Sequence, residues 1–200
     1  MKSAALILNG LTIAHPIKGD KIICADGGYN LAMQYNITPD IVVGDLDSAK
    51  DIADSVEVVK FSMNKDQTDG ELAVHYAASR GCRKLHVYGV DGGRLDHIIC
   101  NINLLKIGAD LGVRVTLHTD DCTVYLSNST FDLDDVVIGD IISIVPFSDD
   151  LHIINTEGLK YPIKNSHISK GSTIGISNIV SSSPIRIEIN EGDALIFKVR

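Results

Sequence analysis

The chain has 200 residues, 44% hydrophobic and 22% charged, enough for one large domain or two small ones with their own cores. Its 26 acids outweigh 18 bases, for a net charge of −8, and no basic stripe is present, which argues against nucleic-acid binding. No stretch is disordered by composition, and no apolar run approaches the length of a membrane span.

The apolar run Ala4-Ala5-Leu6-Ile7-Leu8 stops at Asn9-Gly10. It is too short for the core of a signal peptide and reads as a buried strand. Further apolar segments at 21–25, 41–43, 56–59, 85–88 and 113–117 read as buried strands, alternating with helical stretches. Continuous apolar strands flanked by helices are typical of a parallel sheet covered on both faces. One helix is expected over 69–80, where Leu72, Ala73, Tyr76 and Ala77 keep helical spacing, Glu71 lies in the first turn and Gly81 supplies a stop. Another starts at Arg94 and ends near Gly108, with Leu95, Ile98, Ile99, Ile102 and Leu105 forming a stripe expected to face the core.

Cys24, Cys82, Cys100 and Cys122 are far apart, with no C-x-x-C spacing. That argues against zinc and against a disulfide scaffold, and fits reduced thiols in a cytosol. Cys24 and Cys100, in apolar runs, are expected to be inert core thiols.

After about Cys122 the helical signal ends. Alternating segments at 141–145, 151–154 and 185–189 are separated by turns such as Gly139-Asp140, Glu157-Gly158 and Glu191-Gly192-Asp193. The expected fold is α/β: a three-layer, parallel-sheet, Rossmann-like domain over residues 1–122, followed by a small all-β sandwich over 123–200.

Four acidic clusters sit at or shortly after strand ends: Asp26-Gly27-Gly28, Gly44-Asp45-Leu46-Asp47-Ser48, Lys65-Asp66-Gln67-Thr68-Asp69 and Gly92-Gly93-Arg94-Leu95-Asp96-His97. In an open parallel sheet, ligands bind at the carboxyl ends of the strands. One such turn is ordinary, since Asp and Gly are common turn formers; four on one edge point to a site. Two like charges 4 Å apart repel by roughly 4 kcal/mol at an effective dielectric of 20, so converging Asp45, Asp47 and Asp69 call for a counter-charge. Mg²⁺, which takes carboxylate and phosphate oxygens, is the simplest. The glycines let backbone N–H groups approach phosphate, and Arg94 is the obvious charged phosphate ligand, although a lone arginine would be read first as a solvated surface residue. There is no G-x-x-x-x-G-K-[ST] loop. Asp45-Leu46-Asp47 also resembles the nucleophile motif of haloacid-dehalogenase-type phosphatases, but Ala49 stands where that motif has Thr or Val, and a glycosyltransferase Asp-x-Asp leaves Asp26-Gly27-Gly28 unexplained.

Taken in order, Asp26 to Asn30, Gly44 to Ser48, Thr68-Asp69 and Gly89 to His97 resemble the thiamine pyrophosphokinase family, whose pattern is Asp-Gly-Gly-x-Asn, Gly-Asp-(Leu/Phe)-Asp-Ser, Thr-Asp and Gly-x-x-Gly-Gly-Arg-x-Asp-(His/Gln). Gly158-Leu159-Lys160-Tyr161-Pro162 and Gly175-Ile176-Ser177-Asn178 resemble its vitamin-binding segments. The resemblance implies pyrophosphoryl transfer from ATP to the hydroxyl of thiamine, giving thiamine diphosphate and AMP. It also implies a cytoplasmic homodimer that binds thiamine near the subunit interface. By position, Asp45, Asp47 and Asp69 would hold Mg²⁺. Asp26, Gly27, Gly28, Asn30, Ser48, Lys65, Asp66, Thr68, Gly92, Gly93, Arg94 and Asp96 would line the nucleotide and phosphate site, with Asp69 or Asp96 as base. Tyr161, Ser177 and Asn178 would contact thiamine. Ile179 and Gly70 depart from the family pattern, which often has Glu and a bulkier residue there. A non-catalytic nucleotide- or thiamine-binding sensor and a Mg²⁺-dependent phosphatase are the alternatives.

Overall fold

The structure, a computed structural model, describes residues 1–13, 16–61 and 66–199; Lys65, assigned above to the nucleotide site, lies outside them. The chain divides into two compact units, Met1–Asp120 and Asp121–Arg200.

In the first unit the elements are β1 (Ser3–Ile7), β2 (Ile22–Ala25), α1 (Gly28–Gln34), β3 (Ile41–Gly44), β4 (Glu57–Lys60), α2 (Asp69–Ser79), β5 (Lys84–Tyr88), α3 (Leu95–Asp110) and β6 (Arg114–His118). The strands pair in parallel in the order β6-β5-β1-β2-β3-β4. Successive strand residues point to opposite faces, and Ala4, Ala5, Leu6 and Ile7 are all 0% exposed, so β1 is covered on both sides. The strand order reverses between β1 and β5, which makes a crevice at their carboxyl ends. The loops leaving these strands touch there: Leu11 N–H donates to the Asp91 carbonyl at 3.1 Å. A Cβ on Gly10 would lie 2.3 Å from the Gly89 oxygen, so only glycine permits that approach.

Helix α2 starts where its sequence directs. Thr68 is the N-cap, its Oγ1 accepting the Glu71 N–H at 3.2 Å. Gly70, at the second helical position, packs closely, with its would-be Cβ 3.3 Å from Leu8.

Three expectations are corrected. The stripe on α3 does not face the core as a whole: Leu104, Leu105 and Gly108 are buried, but Leu95 and Ile99 are 71% and 56% exposed. Only the carboxyl-terminal half of the helix docks on the sheet. Cys100 is exposed for the same reason, whereas Cys24 is buried on β2, where desolvation pushes its thiol pKa up to about 12. The strand expected over 56–59 is not buried throughout. It forms the sheet edge β4, with Glu57, Val58 and Lys60 outward and only Val56, just before it, in the core.

The second unit contains β7 (Cys122–Ser127), β8 (Phe131–Leu133), β9 (Ile141–Pro146), β10 (Asp150–Glu157), β11 (Lys164–Ser169), β12 (Asn178–Ile179), β13 (Ile185–Glu191) and β14 (Ala194–Val199). These pair antiparallel as β12-β9-β14-β7 and as β11-β10-β13-β8. Ile142, Ile144 and Ile196 of one group share a core with Leu151, Ile153, Ile168, Ile185 and Ile187 of the other, so two antiparallel layers enclose one apolar interior. The alternating burial of β10 and β13 follows from their alternating sequences. No helix among the described residues is long and apolar enough to cross a membrane.

Candidate active site

Three acids are brought together by three successive crossovers of the parallel sheet. Asp26 follows β2 in a left-handed conformation, φ 39°. Its N–H donates to the Val43 carbonyl at 2.8 Å and its own carbonyl accepts from Tyr29 at 3.0 Å, so the backbone is tied on both sides. Asp45 follows β3, and Asp69 is the first residue of α2. Each of Asp26, Asp45 and Asp69 offers a carboxylate oxygen within 4.8 Å of the others. Gly44 leaves the room for this meeting, because a Cβ there would sit 3.0 Å from both Asp26 Cβ and Asp69 Oδ1. Asp26 is 7% exposed; Asp45 and Asp69 are half-buried.

The acids open into a cleft of about 350 Å³. From the acidic loops it is lined by Asp26, Gly27, Asp45, Asp47, Ser48 and Asp69; from the loop after β5, by Gly92, Gly93 and Arg94. Gly92 and Gly93 have φ of 88° and 75°, a conformation that favours glycine. Arg94 is the N-cap of α3 and forms a two-point ion pair with Asp96, Nε to Oδ1 at 3.1 Å and Nη2 to Oδ2 at 2.6 Å. The hydrogen bonds from Arg94 hold the Asp96 carboxyl below its ordinary pKa, and the Asp96 carboxylate raises that of the guanidinium.

The remaining expected residues have other local duties. Asp47, placed with the metal ligands by sequence, is outside the converging trio; its Oδ1 accepts the Ser48 hydroxyl at 2.8 Å, and Asp26 stands in the trio instead. Gly28 packs on β1, where a Cβ would fall 2.1 Å from the Ile7 oxygen. Asn30 bonds to the loop after β3, its Nδ2 donating to the Ser48 carbonyl and its Oδ1 accepting the Lys50 N–H. Asp66 is exposed, and Thr68 is the cap described above.

In the second unit, Asn178 is 4% exposed and clamps residue 161: its Oδ1 accepts the Tyr161 N–H at 3.0 Å and its Nδ2 donates to the Tyr161 carbonyl at 2.6 Å. Ile179, the departure from the family pattern, also donates its N–H to that Oδ1. The Tyr161 ring is 58% exposed, with Lys160 Nζ 5.4 Å from its centre. Ser177 has φ 58°, and its N–H donates to Ser143 Oγ at 2.9 Å.

Asn9, Gly10 and Asn101 also line the cleft and were not singled out by sequence. Asn9-Gly10 closes β1, so the strand-end rule that located the acids applies to it too. Asn101 lies seven residues after Arg94 and four after His97, on the same helix face, and its Nδ2 donates to the Val90 carbonyl at 2.9 Å.

Residues 17–117 match the family model for the thiamin pyrophosphokinase catalytic domain, and residues 126–192 match that for the thiamin pyrophosphokinase vitamin B1 binding domain. A thiamine pyrophosphokinase of Bacillus subtilis is 31% identical over 180 residues, covering 86% of this chain and 81% of the relative. The crystal structure of thiamine pyrophosphokinase from Bacillus subtilis superposes with a TM-score of 0.88 at 27% identity, covering 99% of each chain. That of thiamin pyrophosphokinase from Geobacillus thermodenitrificans superposes with a TM-score of 0.85 at 25% identity, covering 99% of this chain and 97% of the other. Two matched domain models spanning most of the sequence, a relative above 30% identity and a common architecture lead to one assignment: the chain belongs to the thiamine pyrophosphokinase family.

Proposed function

We propose that the chain transfers the pyrophosphoryl group of ATP to the hydroxyl of thiamine, giving thiamine diphosphate and AMP. The meeting of the Asp26, Asp45 and Asp69 carboxylates in the cleft that holds Gly92, Gly93 and Arg94 carries this reading. A trio of hard oxygen donors, with space left by Gly44, fits Mg²⁺, and Asp47 is adjacent to it in the same cleft. When bound, Mg²⁺ supplies charge neutralisation to the polyphosphate.

The chain's own groups supply position. The Gly92-Gly93 backbone permits close approach of phosphate oxygens just before the amino end of α3, and Arg94 offers them its positive charge and the guanidinium N–H groups that Asp96 does not take. The thiamine oxygen forms a bond to the β-phosphorus as the bond from that phosphorus to the α–β bridging oxygen breaks, and the bridging oxygen leaves with AMP. The hydroxyl proton passes to a carboxylate. Asp69 and Asp96 are the carboxylates we place near that proton, and Asp96 is held by Arg94. Such transfer requires little covalent help beyond alignment and charge stabilisation.

The division of labour we propose is nucleotide chemistry in residues 1–122, and thiamine binding and dimerisation in 123–200. The exposed Tyr161 ring already carries a cation on its face, Lys160, which suits a platform for the thiazolium ring; Asn178 serves by fixing the Tyr161 backbone. A cytoplasmic homodimer is the assembly in which we place this activity.

Purified protein with ATP, Mg²⁺ and thiamine is expected to yield equal amounts of AMP and thiamine diphosphate, and neither in EDTA. Folded protein that releases inorganic phosphate instead of AMP would point to a phosphatase and overturn the assignment.

A further inference from the structure

The loop that carries Asp45 and Asp47 is held from beneath by one corner of the fold, the turn from β2 into α1. Asp26 Oδ1 accepts the Ser48 and Ala49 N–H groups at 3.3 and 3.2 Å. Asn30 grips the next peptides, donating to the Ser48 carbonyl at 2.8 Å and accepting the Lys50 N–H at 3.1 Å. Tyr29, 2% exposed, holds the far end: its hydroxyl donates to the Asp51 carbonyl at 3.3 Å and accepts the Ala53 N–H at 3.2 Å. Leu46, Ala49 and Ile52 pack from the loop against the same core cluster that contains Tyr29.

The loop needs this fastening. Leu46, between the two acids, has φ 67°, and Asp51 has φ 50°, both left-handed and costly for residues with a Cβ. Such a conformation persists only where its surroundings over-determine it. Leu46 stands just before the segment that Asp26, Asn30 and Tyr29 bond to, and Asp51 lies within it.

We propose that Tyr29, together with Asn30, is a positioning residue that sets the Asp45–Asp47 loop against Asp26 and Asp69 and thereby governs affinity for the divalent cation. The Tyr29 hydroxyl touches neither the cleft nor the acids; it acts through the peptides at 51 and 53. The proposal rests on the metal assignment above for what the loop positions, and not on the identity of the acceptor.

The test is Tyr29→Phe, which keeps the buried ring and removes only the hydroxyl. Mn²⁺ binding is measured by electron paramagnetic resonance with the nonhydrolysable α,β-methylene analogue of ATP, and the Mg²⁺ dependence of turnover is measured separately. Loss of a bridging hydroxyl is expected to weaken Mn²⁺ binding and raise the Mg²⁺ half-saturation by about tenfold, while kcat at saturating metal falls by less. Asn30→Ala, which removes the donor to Ser48 and the acceptor for Lys50 without adding a charge, is expected to shift affinity in the same direction. Tyr35→Phe, just past α1, is the control and should shift nothing. Unaltered Mn²⁺ affinity in Tyr29→Phe overturns the proposal, as does a fall in kcat with no change in metal affinity. Wild-type protein that binds Mn²⁺ but makes no thiamine diphosphate would end the functional assignment and leave this test intact.

Discussion

Replacing Asp45 by Asn should make the metal-free protein more stable while disabling it. Asp45 shares a 4.8 Å cluster with Asp26 and Asp69, so it takes part in two repulsive pairs. Each pair costs about 3 kcal/mol at an effective dielectric of 20. Asp45 and Asp69 are only half-buried, so water and salt screen much of this, and a net gain of about 1–2 kcal/mol is the realistic expectation. For a chain of this size each kcal/mol corresponds to roughly 2–4 °C in Tm. Asn keeps an oxygen acceptor for the Asp47 N–H that Asp45 Oδ1 now receives, so the turn itself should survive. The assay is thermal unfolding in EDTA and again in saturating Mn²⁺, beside turnover. In EDTA the variant should melt above wild type; in Mn²⁺ the order should invert, because only the intact trio gains from cation binding by mass action. A variant that melts below wild type in EDTA would refute the view that these carboxylates meet at an electrostatic cost which a cation relieves.

Asn178→Ala strands the Tyr161 N–H and carbonyl and the Ile179 N–H, and should cost about 1–3 kcal/mol and raise the thiamine KM with little change in the ATP KM. An unchanged thiamine KM would separate the clamp from the vitamin site. Thr68→Ala removes the cap of α2 and should destabilise by about 1 kcal/mol, seen as a lower melting temperature; equal melting would show that the Glu71 N–H finds another partner. Burial lowers the pKa of His86 from 6.5, and Lys18 and Lys84 push the same way. The unfolded chain then binds more protons between 6.5 and the folded value, so this contribution is complete above 6.5 and is lost as pH falls through the folded value. His86→Gln should flatten that part of the pH–stability curve, although it also removes the 3.0 Å contact with His118; an unchanged slope would exclude the titration.

Much of the cleft was legible because its parts are short and local. An apolar run followed by Asp and Gly marks a strand end and a turn, and parallel pairing carries all such ends to one edge. Asn9-Gly10 obeyed the same rule without an acid to draw notice. Asn30 holds a loop and Thr68 caps a helix, duties the motifs did not disclose, since a motif says which residues gather and not which atoms they bond.

Periodicity alone established an α/β segment followed by an antiparallel one, because side-chain spacing is a property of each element. Which face of an element is covered is a property of its neighbours, and there local reading ended: α3 docks through Leu104, Leu105 and Gly108 and leaves Leu95 and Cys100 outside. The same limit explains the acids. Asp45-Leu46-Asp47 reads as a symmetrical pair, yet the left-handed turns at Asp26 and Leu46 bring Asp26, not Asp47, into the trio with Asp45 and Asp69. Backbone dihedrals at such turns are held by contacts far away in sequence, here Tyr29 with residues 51 and 53, so only the folded chain could decide them.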